Sequence, residues 1–151
     1  ITGGEALHFK GLPSFSPEMF KYVENADPMK YKQLAKGIDQ LMDEGVAQLF
    51  VRNKNGRKII GTVGQLQYEV IEYRLKHEYG ATSRYEPINL YKACWISGDS
   101  DKMDEFRRKK HHAMAVDKHG NDVFLAESAH ALRMAQEAFP ELAFHFRSEM
   151  Q

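Results

Sequence analysis

Four groups of residues have the types and spacing from which chemistry could be built. The first is Gly61-Thr62-Val63-Gly64-Gln65, which leads into a helical pattern. A nucleotide-hydrolysing loop reads G-x-x-x-x-G-K-[ST], its Lys reaching the terminal phosphates and its hydroxyl holding magnesium. The Lys and that hydroxyl are missing here. An acylphosphatase-like site needs backbone donors with an Arg beside them to grip a phosphoryl oxyanion, and Gln65-Leu66-Gln67-Tyr68 supplies no Arg. These glycines are therefore read as letting a strand turn tightly into a helix. The second group is the histidines, seven in all, with His111 and His112 facing His119 across an expected hairpin. Neighbours on a strand point to opposite sides, so His111 and His112 cannot share one ion without a bulge, and no carboxylate completes a three-ligand set. The third is the lone Cys94 beside Trp95 in an apolar run, a small core residue more readily than a nucleophile.

The fourth group is basic. Arg107-Arg108-Lys109-Lys110 is the densest positive run, followed directly by His111-His112. At a helix C-terminus it complements the macrodipole, and it could equally grip RNA phosphates. Lys30, Lys32 and Lys36 form a second set, and Arg52, Lys54, Arg57 and Lys58 a third. Lys32 and Lys36 share a helix face, which costs a few tenths of a kcal/mol unless an anion lies nearby. The aromatic-interleaved signature of sheet-borne RNA binding is absent from Lys58-Ile59-Ile60-Gly61-Thr62-Val63, so bases are not expected to stack on a sheet face.

The elements that must position these residues follow from periodicity and punctuation. Leu7 to Gly11 reads as a strand and Pro13 to Glu18 as an extended loop. Asp27 can cap a helix with Pro28 in its first turn, carrying Tyr31, Leu34, Ile38 and Leu41 as one stripe and stopping at Gly45. Val46 to Arg52 and Lys58 to Val63 form a hairpin around Asn53-Lys54-Asn55-Gly56. A second helix carries Tyr68, Ile71, Leu75 and Tyr79 and ends at Gly80, and Ala81 to Glu86 returns as a strand before a boundary at Pro87. The pattern then recurs. Ile88 to Ile96 is a strand, Asp99 or Ser100 caps a helix to about Lys110, and Ala113 to Val116 and Val123 to Ala126 flank a turn. Ser128 caps a helix broken at Pro140, and Leu142 to Arg147 closes as a strand. The expected fold is α+β, two consecutive ferredoxin-like β-α-β-β-α-β units with antiparallel sheets covered by helices, over 7–87 and 88–151. The halves either share an interface or continue one extended sheet.

Composition bounds what such a fold can do. The chain has 151 residues, with 21 Lys plus Arg against 21 Asp plus Glu and a formal net charge of zero. Global charge cannot hold it to nucleic acid, so any such contact is a local patch. One cysteine excludes an internal disulfide and points to a reducing compartment, with cytoplasm as the default. No run approaches the roughly 18 apolar residues of a membrane span, and no membrane partner is expected. The opening Ile1-Thr2-Gly3-Gly4-Glu5 reads as the start of an excised piece.

Several phrases together resemble the C-terminal domain of bacterial class II peptide-chain release factors, the release-factor-three family of translational GTPases. They are Phe9-Lys10-Gly11-Leu12-Pro13-Ser14-Phe15-Ser16-Pro17-Glu18, then Asp27-Pro28, Lys32-Gln33-Leu34 and Lys36-Gly37. They continue through Glu44-Gly45-Val46-Ala47-Gln48-Leu49-Phe50 and Gly61-Thr62-Val63-Gly64-Gln65-Leu66-Gln67-Tyr68-Glu69-Val70, then Arg74-Leu75, Glu78-Tyr79 and Tyr85-Glu86-Pro87. Residues 7–87 also look like domain III of elongation factor G, itself ferredoxin-like, and 1–6 like the seam from a preceding β-barrel domain. The resemblance implies a ribosome-contacting domain of a termination factor that promotes departure of class I release factors after peptide release. Its implied partners are small-subunit ribosomal RNA, protein S12, and the G domain and β-barrel of the same polypeptide. GTP or GDP and magnesium belong to that absent G domain, so this piece is expected to hold no cofactor or metal and to be non-catalytic. The contact residues expected are Lys32, Lys36, Arg52, Arg57, Arg107, Arg108, Lys109 and Lys110. The alternatives are the matching domain of an elongation or ribosome-protection factor and, further off, a stand-alone acylphosphatase-like enzyme.

Overall fold

The computed structural model of the chain describes residues 16–146. The expected strand Leu7 to Gly11 lies outside them. Its place in the order is taken by a strand the sequence reading left unassigned, β1 over Met19–Asn25. Its interrupted alternation is a weak local signal, and pairing with a strand on each side settles it as a strand. Helix α1 (Tyr31–Asp43) follows, then β2 (Gln48–Arg52), β3 (Lys58–Thr62), α2 (Gln65–Tyr79) and β4 (Ser83–Ile88), which runs through Pro87. The second half holds β5 (Lys92–Ser97), α3 (Ser100–Lys109), β6 (Met114–Asp117), β7 (Asp122–Ala126), α4 (Ala129–Ala138) and β8 (Ala143–His145). The fold is α+β, with β-α-β-β-α-β order in each half, consistent with ferredoxin-like units.

Local chemistry sets most element ends. Asp27 accepts from Met29 N at 3.0 Å, but what it caps is a 3-10 turn, Pro28–Lys30, that precedes α1. Asp99 and Ser128 cap α3 and α4, accepting from Asp101 N and Ala131 N. Gly80 ends α2 at φ +63°, the left-handed region where a Cβ is strained. Gly64 does not need its freedom, since its φ is −157°. Gly61 is required by close approach, because a Cβ there would stand 2.9 Å from Pro17 Cβ and 3.1 Å from Phe50 Cε2.

The two halves form one antiparallel eight-stranded sheet in the order β4-β1-β3-β2-β6-β7-β5-β8, joined by the β2–β6 pair. This sheet cannot be flat. β4 and β5 are six strand spacings apart in that order, about 29 Å in a flat sheet at about 4.8 Å each. Four peptide links from Ile88 to Lys92 reach about 14 Å at most, so the sheet must curl until the two strands approach. The aromatic rings agree: Phe50 on β2 and Trp95 on β5 have ring centroids 5.9 Å apart, although β6 and β7 lie between their strands.

Alternation then divides the core in three. Inside the curl, Phe20, Phe50, Ile59, Ala93, Trp95, Ala115, Val123 and Leu125 form one cluster that crosses the β2–β6 seam. On the outer side α1 and α2 pack with Ile60 and Val23, and α3 and α4 with Met114 and Phe124. Gly37 lets α1 lie close on α2, since a Cβ there would meet Leu75 Cδ2 at 2.5 Å.

Candidate nucleic-acid interface

Strand register decides which chain ends share a rim of the curled sheet. Val51 pairs with Lys58 and Arg52 with Ala115, so the turn after β2 sits beside the start of β6. Asn25 pairs with Ser83 and Tyr22 with Ile59, which brings the end of β1, and with it the start of α1, to the same rim. Met114 pairs with Phe124 and Lys92 with Ala126, adding the end of α3 and the start of α4. Two hydrogen bonds confirm the meeting of the halves: Asn53 N donates to Met114 O at 2.9 Å, and the side-chain Arg52 Nη1 donates to His112 O at 3.1 Å. Three basic runs separated in sequence, Lys30–Lys36, Arg52–Lys58 and Arg107–His112, therefore converge on one rim. The opposite rim carries Asp43 and Glu44 at the end of α1, Asp99 and Asp101 at the start of α3, and Asp117 and Asp122 at the β6–β7 turn.

Individual side chains on the basic rim have very different duties. Lys32 and Lys36 are exposed on α1 and have no ion-pair partner among the described residues. Arg52 is 5% exposed. Its guanidinium lies over the Tyr22 ring at 5.8 Å and closes this mouth of the inner core, where a phosphate cannot reach it. Arg57 stacks on Tyr22 at 3.6 Å and is paired with Glu24 at 2.8 Å and Glu86 at 3.1 Å. Hydrogen bonding to Glu86 holds Arg57 further toward its charged form. Arg107 is bonded to Asp104 and to Asp122 at 2.6 Å, and Lys109 to Glu105 at 2.9 Å. Arg108 is exposed, with only longer-range attraction to Glu105, and Lys110 is half-buried with no ion pair among the described residues.

Of the eight positions singled out from sequence, Arg107 turns its guanidinium away to Asp122 by the opposite rim, and of the others Lys32, Lys36, Arg108 and Lys110 are the ones with charge to spare among the described residues. Lys54 and Lys58, outside those eight, are exposed beside them, as are His111 and His112 on a 3-10 turn. Spacing alone could not find this distinction, because ion pairs such as Arg57–Glu24 and Arg107–Asp122 join residues distant in sequence.

Other chemistries find little here. The Gly64 N–H, the donor an oxyanion site would use, is taken by its own helix through Gln67 Oε1 at 3.1 Å. Burial pushes the Cys94 thiol up to about 12, so it is neutral at pH 7, the reverse of an activated nucleophile. Among the described residues no group of three His, Cys, Asp or Glu could hold a metal ion, and no helix is long and apolar enough to cross a membrane.

A family model described as class II release factor RF3, C-terminal domain, matches residues 9–136. That span includes both β-α-β-β-α-β halves through most of α4 and all three basic runs. The chain belongs to the C-terminal domain family of class II release factor RF3, placing it in protein biosynthesis at the termination step.

Proposed function

We propose that this domain docks a termination factor on the small ribosomal subunit through its basic rim, by charge-assisted contacts to ribosomal RNA phosphates. By docking it promotes departure of class I release factors after peptide release. The domain carries no catalytic step; GTP and magnesium are bound by a G domain elsewhere in the longer polypeptide. Protein S12, the G domain and the β-barrel are its further contacts, and its compartment is the cytoplasm. The observation that carries this reading is the gathering of unpaired cations on one rim of a protein without net charge. Phosphates are the fitting partner, since Lys and Arg without carboxylates recover in such contacts the charge-assisted bonds they lack within the fold. Arg52 has no place in the contact set, because it is buried.

The test is pelleting of the chain with 70S ribosomes over a range of salt. Each phosphate contact contributes about 0.7 to 0.9 to the slope of log affinity against log salt. Replacing Lys32, Lys36, Arg108 and Lys110 together by Ala is expected to flatten that slope by about 3 and weaken binding. Unchanged affinity and slope in a variant that keeps its thermal midpoint would remove the reading.

A further inference from the structure

We propose that Tyr31, with Met29 beside it, forms a stacking site for an unpaired nucleobase, so that the RNA held by the basic rim is a loop or other single-stranded segment. The proposal rests on the reading of the rim as an RNA surface.

Periodicity assigns Tyr31 to the same buried stripe as Leu34, Ile38 and Leu41. Those three are indeed buried, yet Tyr31 is 63% exposed and Met29 85% exposed. Both project from the junction of the 3-10 turn with α1, and among the described residues no ring or cation is stacked on Tyr31. Lys30 and Lys32 flank Tyr31 in the chain and Lys36 follows one turn after Lys32, all three exposed and likewise unpaired among the described residues. An α-helix N-terminus favours acids; α1 itself has none in its first turn and no side-chain cap, and the acid that precedes it, Asp27, is engaged in capping the 3-10 turn through Met29 N. An exposed aromatic held among surplus positive charge is the combination that binds unpaired nucleotides, the ring taking a base face and the cations its phosphates.

Tyr91 is also exposed, but its ring already has the Lys92 ammonium over it at 5.9 Å, and the stripe on α2 lacks that combination. Leu66, Val70 and Tyr73 form an exposed stripe on α2, but Glu69 and Glu72 flank it and would repel a polyanion. The sheet offers no platform either, because Phe20, Phe50 and Trp95 are buried inside its curl. Duplex RNA would use the lysines and leave Tyr31 idle, since a paired, stacked base has no free face. A loop uses both.

The experiment measures fluorescence anisotropy of the 151-residue chain at low salt with two probes: an RNA hairpin bearing an unpaired loop and a blunt RNA duplex of equal length. Wild type is expected to favour the hairpin. Tyr31→Ala is expected to weaken hairpin binding about tenfold, the usual weight of one stacked base, with duplex binding and the salt slope unchanged. Tyr31→Phe keeps the ring and should retain affinity. Hairpin binding unaltered by Tyr31→Ala but weakened by Lys32→Ala with Lys36→Ala would overturn the stacking site and leave the rim reading intact. Equal losses on both probes would also overturn it. If the paired lysine substitutions change nothing on either probe, the rim reading itself fails and this proposal with it. Thermal midpoints of all variants separate these outcomes from misfolding, and an exposed position such as Tyr31 should shift them little.

Discussion

Arg52 and Arg108 are both arginines on the basic rim, and their surroundings give them opposite roles. Arg52 fills the mouth of the inner core, donating to His112 O and lying over Tyr22. Truncation would leave the His112 carbonyl without this donor and Tyr22 without its cover. Arg52→Ala is expected to cost about 2 kcal/mol in urea unfolding, from the lost bond to a charged donor and the lost packing of the alkyl stem. Arg108→Ala should stay within about 0.5 kcal/mol, because its side chain is exposed and has no ion pair among the described residues. If both cost the same, the division of the rim into structural and available cations is wrong. A sequence cannot make that division: Arg52, Arg57, Arg107 and Arg108 all read as basic residues near turns or helix ends, and their partners lie up to 60 positions away.

At the scale of elements, α1 and α2 are locked together by close approach at Gly37 and by Arg74, which bonds Glu44 at the end of α1 and Glu78 on its own helix at 2.8 Å. Hydrogen bonding to Arg74 holds both carboxyls below their ordinary range. Lowered carboxylate pKa values mean that the unfolded chain binds protons first, so this stabilisation is complete above about pH 4.5 and is lost as pH falls through the lower folded values. The wild type should therefore lose stability on acidification from pH 5 toward pH 3, and Arg74→Met should lose less over that interval while starting lower at pH 7. Urea midpoints at several pH values check this, and parallel curves would show that Arg74 does not carry the effect. The helices themselves were legible from their caps and stripes. The strand Met19–Asn25 was not, since its residues become a strand by pairing with β3 and β4, partners 35 or more positions away.

For the molecule as a whole, the inner cluster joins two halves of the same element order in one core. Phe50 belongs to the first half and Trp95 to the second, yet their rings meet, and Trp95 Nε1 donates to Asp117 Oδ2 at 2.9 Å near the opposite mouth of the core. Lys118 adds a further tie across the halves, bonded to Asp39 at 2.7 Å and Asp43 at 2.6 Å on α1. Phe50→Leu is expected to cost about 1 to 2 kcal/mol and to shift the unfolding midpoints seen by Trp95 fluorescence and by far-UV circular dichroism together. A Trp95 signal that ignores the substitution would show that the halves unfold independently. The charge pattern belongs to this scale too: equal numbers of acids and bases sum to zero, while the topology gathers cations without an ion pair among the described residues toward one rim.

What the sequence determined by itself was whatever local interactions decide. Caps at Asp99 and Ser128, the stop at Gly80, the amphipathic stripes and the order of elements after the first strand act within a few residues, so they were readable, as were the phrases that mark the family. Only the tertiary structure decided that two units share one curled sheet, that Arg52 is buried while Tyr31 is exposed, and that three basic runs meet on one rim. Each of these depends on strand register and on burial against partners far along the chain, and a one-dimensional pattern holds no distance between such residues.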